Sequence, residues 1–362
     1  MGAALSSEFV ARALGLPVPA PIEFQTITTD SRKASTGALF VAIPGEKFDG
    51  HAFIPKAIEQ GATGVVGEKG KIPAGLPRHV AVFEVADTTE AYRRLGSAWR
   101  GRFSNPVVVV AGSVGKTTTK ELLTSILRGK YARVVSTRGS QNGYLGIPMT
   151  LLDLRADTDV AVVEVGIDEI GAMEKHMAVV RPTASLLTAI GPEHLEKLID
   201  VPTVAREEAF ALTLTAKTGG VTVVRMDDPY QAKILPQLLF SQNAWQCALD
   251  LDLQGPRTVK GQIAADGKHL RVTQETGSHF EVTLPLPGRH NAGNLLVAVT
   301  TALSQGLNPI EIQRGLSQFQ GAYGRSELRM LPRNTPVVCD YYNANPSSVE
   351  AASTSSIRCR AR

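Results

Sequence analysis

A lysine and a threonine behind two glycines, Gly112-Ser113-Val114-Gly115-Lys116-Thr117, are the residues of this chain with the most legible chemistry. The glycines let a turn bend tightly and bring backbone N–H groups close to a ligand. Lys116 adds a point charge, and the Thr117 hydroxyl suits a metal ion. Together they describe a cradle for phosphate. The match to G-x-x-x-x-G-K-[ST] is imperfect, because the first glycine of that pattern falls on Val110, but the shorter core is intact. An ordinary glycine-rich turn is the competing reading. The flanks argue against it: Val107–Ala111 reads as a buried parallel strand, and TTKELLTSIL reads as a helix. The turn therefore sits on a helix N-terminus, where anions bind well.

Other residues could join that chemistry. Glu164 closes the apolar run DVAVVEVG, where a carboxylate is costly unless paired or metal-bound. It reads either as a carboxylate at a solvated strand end or as a ligand for Mg²⁺. His194 follows the apolar stretch TASLLTAIGP and reads as a cap, a surface residue or a second metal ligand. Asp30-Ser31-Arg32 and Asp49-Gly50-His51 read as a turn and a helix cap, or as two loops recognising an anion with Arg32 on a phosphate. Gly139, Asn142, Gly143 and Gly146 give a loop suited to close approach by a ligand.

The elements that must hold these residues alternate strand and helix, which predicts an α/β fold. Ligands in such folds sit at the carboxyl ends of the strands. Residues 1–104 read as a first α/β unit, with helices over SSEFVARALGL, AFIPKAIEQGA and TTEAYRRLGSAWRGR between short strands. Residues 105–325 read as a second unit, a mostly parallel sheet with helices on both faces, flanked by antiparallel hairpins over 250–287. Residues 326–362 read as the start of a third unit: one strand, a polar loop and a helix start, which cannot bury a core alone. The stretch 353–362 shows neither helical nor strand period and reads as foreign to a domain whose remainder is absent.

Composition narrows the classes. At 362 residues the chain has room for two or three cores, and a net charge of +4 gives no argument for a nucleic-acid partner. Cys247, Cys339 and Cys359 are far apart, odd in number and without metal-ligand spacing, which favours a reducing cytoplasm. No apolar run is long enough for stable membrane insertion. Met1-Gly2-Ala3-Ala4-Leu5-Ser6 formally fits an acylation pattern, but the residues after it already read as a helix.

Several separated motifs then carry a resemblance. T-D-S-R (29–32), L-F-V-A-I-P-G (39–45), D-G-H (49–51), G-S-V-G-K-T-T-T-K-E (112–121), N-G-Y-L-G-I-P-M-T-L-L (142–152), V-V-E-V-G (162–166), I-G-P-E-H-L-E (190–196), G-R-H-N-A-G-N (288–294) and Y-N-A-N-P (342–346) occur in one order. In this the chain resembles the Mur ligase family, ATP-dependent amide-forming ligases of peptidoglycan synthesis. The last motif resembles the type that adds D-alanyl-D-alanine to UDP-N-acetylmuramoyl-tripeptide. The resemblance implies an N-terminal UDP-side domain, a central ATPase domain and a Rossmann-like C-terminal domain for the incoming amine, of which 326–362 would be a remnant. It implies that ATP phosphorylates a carboxylate and that an amine attacks the acyl phosphate. Lys116, Glu164 and His194 would be catalytic. Gly112, Ser113, Gly115, Lys116, Thr117, Thr118, Asn294, Arg325 and Asp340 would hold the nucleotide. Ser31, Arg32 and Asn142 would hold the substrate. Thr117, Glu164, His194 and Glu208 would hold magnesium. Val114, Gly143 and Tyr144 depart from the family pattern. So does Glu208, where a carbamylated lysine is usual; a glutamate brings the same charge on a shorter arm, so no bicarbonate would be needed. A monomer is expected.

Overall fold

The computed structural model describes residues 5–19, 21–45, 47–238, 242–332 and 335–342, with Val349 and Ser353. The acylation pattern at 1–4, the motif residues 343–346, Cys359 and the stretch 354–362 lie outside the described residues. Two units result, one from residues 1–104 with 144–156, the other from 105–143 with 157–362. Residues 144–156, expected in the central domain, thus group with the first unit, and the segment after 325 groups with the second.

The first unit is built on four parallel strands hydrogen-bonded in chain order: β1 (Thr26–Thr28), β2 (Ala38–Val41), β3 (Ala62–Glu68) and β4 (Ala81–Val85). Every residue of β2 is buried, as a strand covered on both faces must be. Helix α1 (Ser7–Leu14) starts at Ser6, whose Oγ accepts from Phe9 N at 3.2 Å, and stops at left-handed Gly15. Helix α2 (Ile54–Glu59) covers β3. Helix α3 (Thr88–Arg100) starts at Asp87, which accepts from Thr89 N at 2.7 Å and Glu90 N at 3.0 Å. The helix Gly146–Leu152 lies on α3 so closely that a Cβ at Gly96 would stand 2.6 Å from Pro148 Cβ. The Trp99 indole donates to Leu154 O at 3.1 Å, which ties the outlying segment to the unit.

The second unit carries the larger sheet. Its strands are β5 (Val107–Ala111), β6 (Val134–Ser136), β7 (Val160–Glu164), β8 (Ala184–Leu187), β9 (Val221–Arg225), β10 (Ala244–Leu249), β11 (Thr258–Ile263), β12 (His269–Gln274) and β13 (His279–Thr283). They lie in the order β13-β12-β11-β10-β9-β8-β5-β7-β6. Pairing is parallel from β6 through to β11, and β12 and β13 add antiparallel at the far edge, where hairpins were expected. From β5 the chain runs to β6 and β7 on one side, then crosses to β8 on the other. The order reverses between β5 and β8, and such switch points open the crevice in which ligands bind.

Helices α4 (Lys116–Arg128), α5 (Ala172–Val180), α6 (Val201–Lys217), α7 (Arg289–Ser304) and α8 (Pro309–Leu316) complete the unit. Asp200 caps α6, accepting from Thr203 N at 2.8 Å, and Asn308 with Glu311 forms a capping box on α8. Helix α7 is buried from Asn291 to Ala302, and its aliphatic side chains join those of α4 and of β5, β7 and β8 in one core. The strands Glu327–Leu331 and Thr335–Cys339 pair antiparallel beyond α8.

Candidate functional site

The loop between β5 and α4 lies at the switch point. Gly112 (φ 116°) and Gly115 (φ 90°) hold backbone angles that other residues rarely adopt. A Cβ on Gly112 would stand 2.4 Å from Thr188 Oγ1, and one on Gly115 would stand 2.6 Å from Asn294 Oδ1. The amides at the front of the loop, expected to face a ligand, are committed to the protein. Gly112 N donates to Glu208 Oε2 at 2.7 Å; Ser113 N and Val114 N both donate to Ala189 O, at 2.8 and 3.2 Å. The amides left for an anion are those at the start of α4, from Gly115 to Thr118, where first-turn amides have no partner within the helix.

Lys116 is buried, and its ammonium meets Gly112 O at 2.6 Å, Ser113 O at 3.3 Å and Glu193 Oε1 at 2.7 Å. Burial pulls its pKa down, but the charges of Glu193, Glu208 and Glu164 outweigh burial and hold it above the usual lysine value. Glu208 is fully buried. Burial pushes its carboxyl up to about 8, with Lys116 and the Gly112 amide opposing and Glu193 adding to the rise. Glu164, Glu193 and Glu208 each have one buried carboxylate oxygen without a hydrogen-bond partner. Each of these buried oxygens lacks the donor or cation that burial calls for.

Glu164 ends β7 one strand from the loop. Thr117 Oγ1 donates to Glu164 Oε1 at 3.1 Å and pairs with Ser140 Oγ at 3.0 Å. Asn142 Nδ2 donates to the same Glu164 oxygen at 2.8 Å, and Thr137 Oγ1 accepts from Glu164 N at 3.0 Å. Residues 137–142 thus strap the Thr117–Glu164 pair. Beneath the strap lies Lys120, fully buried, donating to Thr137 O at 2.8 Å and Gly139 O at 3.0 Å and paired with Glu121. Burial raises the Glu164 pKa, and Lys120 is the main opposing charge. The unpartnered Oε2 of Glu164 beside a threonine hydroxyl is a donor set that fits a hard divalent cation such as Mg²⁺.

Of the other expected site residues, Asn142 and Asn294 lie at the loop and its carboxylate. His194 (φ 47°) precedes a four-residue helical turn, is 47% exposed, and has Glu196 at 3.5 Å. Among the described residues no three His, Cys, Asp or Glu side chains converge as a metal-binding group, so Glu164, His194 and Glu208 do not form one cluster. Asn142, expected on substrate, spends its amide on Glu164. Asn294 lies against Gly115 and donates to Asn291 Oδ1 at 3.3 Å. Arg325 and Asp340 come together around Gly324: the Arg325 guanidinium stacks on Tyr342, 4.5 Å from the ring centre, and Asp340 accepts from Ser326 Oγ at 3.0 Å. In the first unit, Asp30, Ser31 and Arg32 line a cleft of about 650 Å³ with Phe48, Phe53 and Lys56. The exposed Arg32 guanidinium is held by Asp30 through two bonds of 2.9 Å. The D-G-H motif resolves as a lock. Asp49 caps the turn, accepting from His51 N, while the buried His51 takes Asp49 on Nδ1 at 2.5 Å and Glu68 N on Nε2 at 2.8 Å.

Two residues of the site, Glu193 and Lys120, escaped the sequence reading. Glu193 lies in the loop after β8, as Glu164 lies at the end of β7, which is a signal; Lys120 had none beyond its place in a buried helix.

A parallel sheet with a lysine-bearing glycine loop at its switch point, and a threonine–carboxylate pair beside it, defines a nucleotide-phosphate-using α/β enzyme. Residues 110–302 match the Mur ligase middle domain and residues 23–100 the Mur ligase family catalytic domain. A UDP-N-acetylmuramoyl-tripeptide–D-alanyl-D-alanine ligase from Synechocystis is 35% identical over 91% of this chain and 69% of its own length. One from Bacillus subtilis is 30% identical over 96% and 73%. The crystal structure of MurF from Acinetobacter baumannii superposes with a TM-score of 0.83 at 28% identity, covering 98% of this chain and 77% of that one. The chain belongs to the Mur ligase family, whose members are ATP-dependent ligases.

Proposed function

We propose that this chain joins D-alanyl-D-alanine to UDP-N-acetylmuramoyl-tripeptide with consumption of ATP, in peptidoglycan synthesis. The observation that carries this reading is the Thr117–Glu164 pair formed next to Lys116 at the start of α4, in a chain 35% identical to a ligase of that reaction. A carboxylate is a poor electrophile, and a phosphoryl group makes it a good one. Phosphoryl transfer asks for positioning and charge neutralisation rather than covalent help. Lys116 would meet the transferring phosphoryl group, and the α4 N-terminus from Gly115 to Thr118 would face the phosphates. Thr117 and Glu164 would hold Mg²⁺, which supplies neutralisation of phosphate charge. Glu208 would stand in for a carbamylated lysine, with His194 reaching the second metal. Asn294, Arg325 and Asp340 would hold the nucleoside, and the cleft around Ser31 and Arg32 the UDP end. We read residues 1–104, 105–325 and 326–362 as parts of three domains, and the protein as a cytoplasmic monomer.

Phosphate release with the UDP-muramoyl-tripeptide, with and without D-alanyl-D-alanine, tests the reading. Release that depends on the dipeptide supports it. Release with a single amino acid instead would make the chain a sibling ligase or a folylpolyglutamate-type enzyme. ATP binding without release under either condition would make it a non-catalytic nucleotide-binding protein.

A further inference from the structure

Lysine has three N–H donors, and those of Lys116 are matched by three acceptors: Gly112 O, Ser113 O and Glu193 Oε1. An ammonium so engaged has no donor left for a phosphate. Two of its partners are carbonyls of the loop itself, whose peptides are fixed by Ala189 O, the acceptor for both Ser113 N and Val114 N. The third is a side chain, and only a side chain can leave without unfolding the loop. Glu193 also carries a charge of the same sign as the phosphate, so the two repel each other at Lys116 and compete for its donors.

Strained backbone follows Glu193 in the chain. His194 has φ 47° and Ile199 φ 70°, and the second is an outlying angle for a β-branched residue. Ile199 is 71% exposed, so little packing holds it there. The helical turn between them spans only Leu195–Leu198. The free carboxylate oxygen of Glu193, buried and without a partner, shows that the parked position leaves the group unsatisfied.

We propose that Glu193 is a displaceable counter-ion for Lys116: it orients the ammonium in the nucleotide-free loop and competes with the incoming phosphate for it. This rests on reading Lys116 as the residue that meets the nucleotide's phosphates. Glu193 keeps a buried lysine paired while the site is empty, and its departure is a cost charged against every binding event. It follows that the wild-type chain binds ATP more weakly than its loop alone would allow.

The test is calorimetric titration of the full chain with ATP in EDTA, then with Mg·ATP. Glu193→Ala is expected to bind metal-free ATP about tenfold more tightly than wild type. Glu193→Gln, which keeps an acceptor and loses the charge, should fall between them and serves if the alanine variant folds poorly. In a Lys116→Met background the gain from Glu193→Ala should vanish, since a specific competition needs both partners. A gain that persists there is a general charge effect and overturns the proposal. So does unchanged or weaker metal-free binding, and so does a loss confined to Mg·ATP, which would make Glu193 a metal ligand. If neither wild type nor the variants bind ATP, the nucleotide reading of the loop fails and the proposal falls with it; binding that is equal in wild type and variants sinks the proposal alone.

Discussion

Single residues in this site trade burial against charge. Glu208 is the extreme case, a carboxyl enclosed on all sides and pushed up to about 8. Between the pKa of an unfolded glutamate, about 4.3, and that value, the folded chain holds a proton that the unfolded chain has lost. The folded state therefore loses stability as pH rises through this window. Glu208→Gln is expected to raise the melting temperature by roughly 3 °C at pH 8 and little at pH 5, read by calorimetry without nucleotide. Metal-dependent phosphate release should drop in the same variant; unchanged release would remove Glu208 from the metal site. Lys120 makes the opposite trade, a buried cation whose bonds hold the strap over Glu164. Lys120→Met should raise the Mg²⁺ concentration for half-maximal activity about tenfold and cost about 2 kcal/mol in urea unfolding. Lys120→Arg should recover part of the metal response, a recovery that a lysine filling space alone would not give.

At the scale of elements, the loop is held by what packs behind it. Helix α4 carries Lys116 and Thr117 at its start, and α8 meets it farther along. A Cβ on Gly315 of α8 would stand 2.4 Å from Ser125 O and 2.5 Å from Ile126 O, and Ser125 Oγ donates to Gly315 O at 2.7 Å. Gly315→Ala must push the helices apart and is expected to cost about 2 kcal/mol by urea unfolding. The clash is with backbone, so no side-chain rotation relieves it. Loss of a cap is gentler: Asp200→Ala should cost about 1 kcal/mol. Of the two elements α4 was legible beforehand, from TTKELLTSIL. Their close approach was not, because a glycine in a helix signals permission for contact without naming the partner.

The whole molecule shows where a chain read in order misleads. The first unit borrows residues 144–156 from beyond the glycine loop, and the Trp99 indole donates a hydrogen bond to Leu154 O. A fragment ending at 104 exposes the face of α3 that the helix Gly146–Leu152 covers. It is expected to bind a hydrophobic dye and to lack the near-ultraviolet signal of an ordered Trp99, whereas the full chain should show that signal. A fragment with native-like dichroism would refute the shared packing.

By itself the sequence determined the α/β class, the glycine loop on a helix start, the strand-end position of Glu164 and the family, because each is written in neighbouring residues as period, turn chemistry or motif order. Tertiary structure alone decided which groups meet. It put Glu193 on Lys116 across 77 positions and Glu208 on Gly112 across 96. It committed the front amides of the loop to the protein and turned the D-G-H motif into a lock. Contacts at such separations arise from strand order, and strand order follows from how several elements bury their apolar faces together.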